Sequence, residues 1–308
     1  MLYLFQKRKM LLCEVGKEKF TEEDMYRMGL IFGILLFSAT FIWAQNSAEE
    51  KKAPAYGWKN SVVGDLNFTQ NAFTDWKQGG EDSWSWAANL QAKFENDQEK
   101  YNWSNSGRFA FGQSQVGDAD ARKAADEIKL ESVYTYKLGV LINPYASATM
   151  TTQFAAGYSY DPVKTQVSDL FDPAYFTESI GVGVQPNDHI KTRLGAAFKQ
   201  TVTKNYTTYA DDAATPEVES FKNEFGAESV TDYTFKLSER ILYDGKLQIF
   251  TNFKGLDVVD VDWDNTFSAQ VSEIIKVSFN LRLLYDKDIF YKRQLKQTLA
   301  VGLSYTFI

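Results

Sequence analysis

The sequence predicts an all-β fold: a transmembrane antiparallel up-and-down β-barrel of about twelve strands. Three observations predict it. Long runs alternate between apolar and polar residues, the polar side of these runs carries small side chains, and the connections between runs differ in length at their two ends. The composition agrees, because 15% of the 308 residues are aromatic and 6 residues are proline. Aromatic residues favour strands, whereas proline interrupts them.

The first apolar stretch indicates export rather than a membrane-spanning helix. Residues Gly29–Ile42 carry no charge but are fewer than the ~20 that a spanning helix needs. Arg27 before this stretch and the small Ala44 after it complete the pattern of a cleaved secretory signal peptide. The predicted organisation has three successive parts, an N-terminal extension with the signal peptide (1–44), a periplasmic tether (45–59) and an outer-membrane barrel (60–308).

The alternation of apolar and polar residues is clearest in residues 83–95, where Trp84, Leu90 and Phe94 fall on one face and Lys93 on the other. Several such runs are longer than the ~5–6 residues of a typical soluble strand and match the ~9–11 that cross a bilayer. Twelve strands are predicted, at residues 60–70, 83–95, 101–114, 128–138, 145–160, 175–185, 189–202, 221–236, 246–253, 261–271, 276–285 and 293–308.

The polar face of these runs indicates which side lies inside. Along residues 101–114 it consists mostly of Ser, Asn, Ala and Gly, whereas a solvent-facing strand would carry more Lys, Glu and Thr. Small residues suit a confined interior that receives side chains from every strand. The apolar face is therefore expected to contact lipid.

The connections between strands predict the orientation of the barrel. Those from odd to even strands, such as 203–220, are long, and most of those from even to odd strands, such as 186–188, are short. Outer-membrane barrels show this asymmetry, with the short turns in the periplasm. We therefore expect both termini to lie on the periplasmic side of a bacterial outer membrane.

Seven charged residues on the polar faces are predicted to line the lumen. Charges inside a membrane-spanning barrel must be paired or in contact with water. Two interpretations remain open, an aqueous path that favours anions and a core plugged by ion pairs. The seven residues are Arg108, Lys129, Glu131, Lys137, Lys191, Arg193 and Lys199.

Two loop segments are candidate ligand sites. Trp76 with Gly79 and Gly80 can stack on a sugar, or can simply pin a hairpin loop. Alternate carboxylates at Asp260, Asp262 and Asp264 can hold Ca²⁺, or can form a solvated rim at the loop end. No cofactor is predicted.

Charge and residue counts exclude several functions. The net charge of −7 gives no support for nucleic-acid binding. His189 is the single histidine, it lies beside a predicted periplasmic turn, and no Gly-x-Ser-x-Gly elbow occurs. We therefore predict that the protein is not an enzyme, and a lipid-modifying hydrolase is the least favoured hypothesis.

Several short motifs resemble those of a known family. They are Trp76–Gly80 followed by the alternating Ser83–Trp86, then Thr152–Phe154 with Gly157–Tyr158, and Asp169–Phe176 leading into Gly181. Together they resemble the outer-membrane β-barrels of Bacteroidota grouped as domain of unknown function 3078. The resemblance extends from about Phe68 to the C-terminus. It implies a location and a fold, without a reaction.

The function predicted from the sequence is a pore or transport protein for small hydrophilic solutes. The alternative is a structural or surface-interaction barrel with a plugged lumen. The expected partners are outer-membrane lipid and the insertion machinery, which reads an aromatic residue near the C-terminus. Here that residue is Phe307, one place before the last.

Overall fold

The computed structural model describes residues 56–308 except 75–76, 78–79, 213–214, 255–258 and 287–289. Twelve antiparallel strands form a closed barrel. They are β1 (Gly57–Asn71), β2 (Ser83–Asp97), β3 (Tyr101–Val116), β4 (Arg122–Tyr136), β5 (Ile142–Thr152), β8 (Ala174–Asn187), β9 (Ile190–Val202), β10 (Phe221–Lys236), β11 (Ile241–Asn252), β12 (Val259–Gln270), β13 (Ile275–Asp286) and β14 (Phe290–Thr306). Two further short strands, β6 (Gly157–Ser159) and β7 (Thr165–Ser168), lie between β5 and β8 and are not part of the barrel. The order around the barrel is β1-β14-β13-β12-β11-β10-β9-β8-β5-β4-β3-β2. The predicted fold class and strand number are confirmed.

The first and last strands close the barrel. Residues Val63–Asn67 of β1 pair with Gly302–Thr306 of β14. The backbone N–H of Phe307 then donates to the carbonyl of Val62 at 2.8 Å, so the pairing continues past the end of β14. Closure leaves no free sheet edge. A barrel in lipid must be closed in this way, because an open edge would leave backbone N–H and C=O groups without hydrogen-bond partners.

The strands differ from the predicted ranges mainly by being longer. β4 begins at Arg122 instead of 128, and β1 begins at Gly57, inside the segment predicted to be a tether. The predicted strand 145–160 ends at Thr152, and the long connection after it contains a small hairpin of β6 (Gly157–Ser159) and β7 (Thr165–Ser168). The predicted extension and signal peptide lie outside the described residues.

The two ends of the barrel differ in their connections. The long-loop end carries the connections β1–β2, β3–β4, β5–β8, β9–β10, β11–β12 and β13–β14, of which 72–82, 153–173 and 203–220 are the longest. The β3–β4 connection shrinks to 117–121 because both strands continue beyond the predicted ends. The short-turn end carries only brief connections, such as 98–100 and 188–189.

The outer wall exposes large apolar side chains. Leu299 is 72% exposed, Ile180 67% and Phe68 60%. Exposing so wide an apolar surface to water would be unfavourable. Trp58 of β1 and Trp103 of β3 lie 6.4 Å apart near the short-turn end. The rings of Tyr101 on β3 and Tyr134 on β4 stack next to them, and Tyr134 is the register partner of Trp103. An apolar band flanked by aromatic residues is typical of a barrel wall that contacts lipid. Within the described residues, no helix is both long enough and apolar enough to span a bilayer.

Candidate functional site in the barrel lumen

Two arginines connect opposite walls of the lumen. Arg108 of β3 donates to Asp264 of β12 at 2.7 Å, and Arg282 of β13 donates to Glu127 of β4 at 2.7 Å. Four strands lie between the partners of each pair on the shorter way around the barrel. Arg282 also holds Asp262 by two hydrogen bonds of 2.9 and 2.8 Å, which fixes its planar group.

These contacts require opposite walls to approach each other. Twelve strands spaced ~4.8 Å apart and tilted ~40° enclose a round section roughly 24 Å across between backbones. An extended arginine and an aspartate side chain are together much shorter than this distance. The lumen is therefore narrow at the level of Arg108 and Arg282.

A second tier of ion pairs converges on Glu131 of β4. Its two carboxylate oxygens accept hydrogen bonds from Arg193 of β9 and Lys246 of β11. The same two cations also approach Asp232, at 3.9 and 3.5 Å. The tier has two positive and two negative groups, so its charges balance.

A third cluster lies at the long-loop end. The ammonium of Lys199 approaches Asp260 at 2.6 Å, Asp286 at 3.6 Å and Glu224 at 3.9 Å. It also lies 5.5 Å from the ring centroid of the buried Phe250. One lysine thus connects carboxylates of three other strands.

The structure brings most of the predicted lumen residues into these networks. Arg108, Glu131, Arg193 and Lys199 take part in the tiers described above, and Lys137 and Lys191 pair with carboxylates at the short-turn end. Lys129 makes no ion pair within the described part of the chain. The predicted mixture of signs is therefore organised as paired charges in successive layers.

Three residues that carry this network were missed by the sequence analysis. Glu127 precedes the predicted start of its strand, and Lys246 was the first residue of a predicted strand that actually begins at Ile241. Arg282 lies in the predicted strand 276–285 but is not among the seven predicted lumen residues. Extending the alternation of the strand 246–253 toward its start would have found Lys246. Residues 122–127 do not alternate clearly, which hid Glu127, and the partners of Arg282 depend on barrel closure.

The predicted loop candidates lie at the long-loop end. Trp76 and Gly79 fall outside the described residues. Gly80 has a φ of +139°, and its backbone packs against the ring of Phe73. A nearby cavity of about 430 Å³ is lined by Glu81, Asp82, Trp84, Gln115, Gly117 and Asp118.

Asp260, Asp262 and Asp264 share the inner face of β12, as their spacing predicts, and do not form a solvated rim. Each has a different cationic partner, respectively Lys199, Arg282 and Arg108. Among the described residues, no group of three or more His, Cys, Asp or Glu side chains is arranged to hold a metal ion.

His189 lies in the short β8–β9 turn, where the sequence predicts it. Its Nδ1 is 3.0 Å from the backbone carbonyl of Thr234, and its ring stacks on Phe235 with centroids 5.5 Å apart. This end of the barrel is opposite to the long loops. The geometry gives this histidine a structural role in joining neighbouring turns.

An apolar outer wall, a charged lumen and full closure define a β-barrel membrane protein of the outer-membrane type. Residues 68–158 match the model of a family described as "Protein of unknown function (DUF3078)". The resemblance predicted from the sequence is confirmed over that range, which begins where it was predicted and ends at Tyr158. A search of curated proteins finds no similar sequence.

Two solved structures have a similar overall arrangement at low sequence identity. The translocator domain of the autotransporter NalP from Neisseria meningitidis has 9% identity and a TM-score of 0.37, over 92% of this chain and 97% of that one. The COG4313 outer membrane channel from Pseudomonas putida F1 has 11% identity and a TM-score of 0.39, over 85% and 99%.

Proposed function

We propose that this protein is an outer-membrane barrel whose lumen is held closed by ion pairs, and that it serves as a structural or surface-interaction protein. The observation that carries the proposal is the pairing of Arg108 with Asp264 and of Arg282 with Glu127 across the lumen. Both pairs are only partly exposed, so separating them leaves charges in a confined space. That cost opposes spontaneous opening.

The location in the outer membrane is part of the same proposal. The apolar residues on the outer wall, such as Leu299, support contact with lipid, and Gly29–Ile42 with Arg27 supports export by a cleaved signal peptide. The insertion machinery is a further proposed partner. Its signal is Phe307, which packs on Tyr305 at 5.0 Å and against Gly64 across the closing seam.

The long loops support the surface-interaction part of the proposal. Asp172 of the β5–β8 connection accepts backbone N–H groups of Lys204 at 2.9 Å and Asn205 at 2.7 Å from the β9–β10 connection. Two loops held together in this way present an ordered surface on the side predicted to face the cell exterior. Ordered loops lose less conformational entropy when they bind a partner.

A narrow pore for small hydrophilic solutes is the second candidate. Three exposed side chains that face the lumen support this candidate. They are Lys296 and Thr298 of β14 and Gln91 of β2. These exposed inward residues indicate room for water beside the paired charges. Water along that side of the lumen is what a path for small ions requires.

Planar-bilayer recording distinguishes the two candidates. A closed lumen predicts no sustained conductance from the folded protein, whose folding is checked by heat-modifiable gel mobility. The double variant Arg108→Ala, Arg282→Ala removes both crossing arginines and is expected to conduct. The matched control is Lys164→Ala, which removes a pair with Asp120 outside the lumen. Stable conductance steps from the wild-type protein would overturn the closed-lumen proposal in favour of the pore.

A further inference from the structure

We propose that the lumen mouth at the short-turn end binds a small dianion of the phosphate type. The site is a group of side chains that we call the basic mouth. It is separate from the pairs that close the middle of the lumen and does not depend on whether the lumen conducts. The basic mouth consists of Lys59, Lys93, Lys137, Lys191, Glu95, Asp97 and Asn102.

Glu95 is the centre of one half of the basic mouth. The ammonium of Lys93 approaches one of its carboxylate oxygens at 2.8 Å, and the ammonium of Lys191 approaches the other at 3.6 Å. Lys93 and Glu95 belong to β2, whereas Lys191 comes from β9, with four strands between them on the shorter way around. Two ammonium groups from opposite walls therefore meet at a single carboxylate.

Asp97 organises the other half in the same way. Lys137 approaches it at 2.6 Å and Lys59 at 3.4 Å. The amide of Asn102 donates to Glu95 at 2.8 Å and to Asp97 at 3.1 Å, so it connects the two halves. The seven side chains thus form one continuous cluster.

The basic mouth has more positive than negative charge. Four ammonium groups face two carboxylates, which leaves a surplus of two positive charges. The next tier inward is neutral, because Arg193 and Lys246 are matched by Glu131 and Asp232. The surplus is therefore not cancelled from inside the lumen.

The turns at the short-turn end add charges outside the basic mouth. Glu99 and Lys100 of the β2–β3 turn have opposite signs, as do Glu239 and Arg240 of the β10–β11 turn. The β8–β9 and β12–β13 turns each add one carboxylate, Asp188 and Glu273. Within the described part of the chain, the four lysines of the basic mouth pair with Glu95 and Asp97 and not with these two carboxylates. The excess of two positive charges is therefore that of the contacting side chains of the basic mouth.

The lysines have unused capacity for a ligand. The side chains of Lys93 and Lys191 are 51% and 46% exposed, and an ammonium group has three donors. A compact, hydrated ammonium acts as a point charge toward phosphate oxygens. A dianion carries the charge that neutralises the surplus of two. Its oxygen atoms can also accept hydrogen bonds from the free N–H donors of the two ammonium groups.

Isothermal titration calorimetry with inorganic phosphate tests the proposal on the folded full chain in detergent at low ionic strength. The wild-type protein is expected to bind phosphate. The double variant Lys93→Gln, Lys191→Gln is expected to lose at least about tenfold in affinity because the surplus disappears. Glu95→Gln is expected to bind several-fold more tightly because the surplus rises from two to three. Lys164→Gln, at the opposite end of the barrel, is the matched control and is expected to leave the affinity unchanged.

The two variants of the basic mouth are expected to change affinity in opposite directions, whereas a purely structural role would weaken binding in both. Absence of phosphate binding by the wild-type protein, or equal affinity in the lysine double variant, would overturn the proposal. Weaker binding by Glu95→Gln would also overturn it, provided that heat-modifiable mobility shows a folded barrel.

Discussion

The ring of Tyr233 on β10 covers Gly245, its register partner on β11, on the lipid-facing wall. A Cβ atom placed on Gly245 would lie 2.1 Å from two ring carbons of Tyr233. The tyrosine hydroxyl is held on the same wall, where it donates to Asn265 at 2.6 Å and accepts from the indole of Trp263 at 2.7 Å. Glycine is therefore required beneath the ring because no side chain fits there.

The variant Gly245→Ala is expected to lose about 1–3 kcal/mol of unfolding free energy, because the tyrosine ring must move and release its hydrogen bonds. Denaturant unfolding in lipid vesicles, followed by tryptophan fluorescence, measures this loss. Gly183→Ala is the matched control, since the nearest atom to its new Cβ is 3.6 Å away. Equal stability of the two variants would contradict the role assigned to Tyr233.

Asp172 is expected to hold the β9–β10 connection against the β5–β8 connection. Its carboxylate accepts the backbone N–H groups of Lys204, Asn205 and Tyr206. Asp172→Ala leaves these donors without their acceptor, so we expect trypsin to cleave after Lys204 at least several-fold faster while the barrel keeps its unfolding midpoint. The rate of cleavage is followed on gels.

Asp169→Ala is the matched control for that experiment, because its carboxylate accepts hydrogen bonds from Leu170 and Gln166 of its own connection. If trypsin cleaves after Lys204 at the same rate in Asp172→Ala as in the wild-type protein, other contacts hold the two loops together.

The crossing pair of Arg282 and Glu127 is expected to be energetically coupled. Arg282→Gln leaves Glu127 and Asp262 without their main cation, so it is expected to cost on the order of 2–3 kcal/mol. Glu127→Gln in the same chain should recover part of this loss. A double-mutant cycle is expected to give a coupling energy of ~1–3 kcal/mol, reduced because Arg108 also approaches Glu127 at 3.3 Å.

Unfolding midpoints of the two single variants and the double variant supply that cycle. Combining Arg282→Gln with Lys164→Gln, on the β5–β8 connection, serves as the control and should be additive. Additivity of Arg282→Gln with Glu127→Gln would contradict a direct pair across the lumen.

The lipid-facing wall can be tested on neighbouring residues of one strand. Leu299 of β14 is 72% exposed on the outer wall, and Thr298 points to the lumen beside Asn280. A fluorophore attached at Leu299→Cys is expected to be quenched by brominated lipid, whereas one at Thr298→Cys should not be. The reverse order, or strong quenching of the Leu299 label by a water-soluble quencher, would contradict the assignment of the two faces.

Much of the fold could be predicted from the sequence because one property repeats every two residues. Alternation placed Trp84, Leu90 and Phe94 on the outer wall and predicted twelve strands with the observed order of connections. The strand ends were predicted less well. Residues 122–127 do not alternate clearly, so β4 was predicted to start too late and Glu127 was missed.

The β6–β7 hairpin was not predicted from the sequence, for a different reason. Residues 157–160 continue the apolar pattern of the strand before them, and the sequence alone did not separate a loop hairpin from a longer barrel strand. The interruption depends on tertiary contacts. Asp126 of β4 accepts the backbone N–H groups of Phe154 and Ala155, at 2.6 and 3.0 Å, which turns the chain away from the barrel.

The sequence by itself determined that this chain forms strands with one apolar and one polar face, and which charges share the polar face. That information is local, because the direction of a side chain in a strand follows from its position in the run. Only the tertiary structure decided which charges meet. Arg108 and Asp264 are 156 residues apart in the chain, and they lie 2.7 Å apart because barrel closure brings β3 opposite β12.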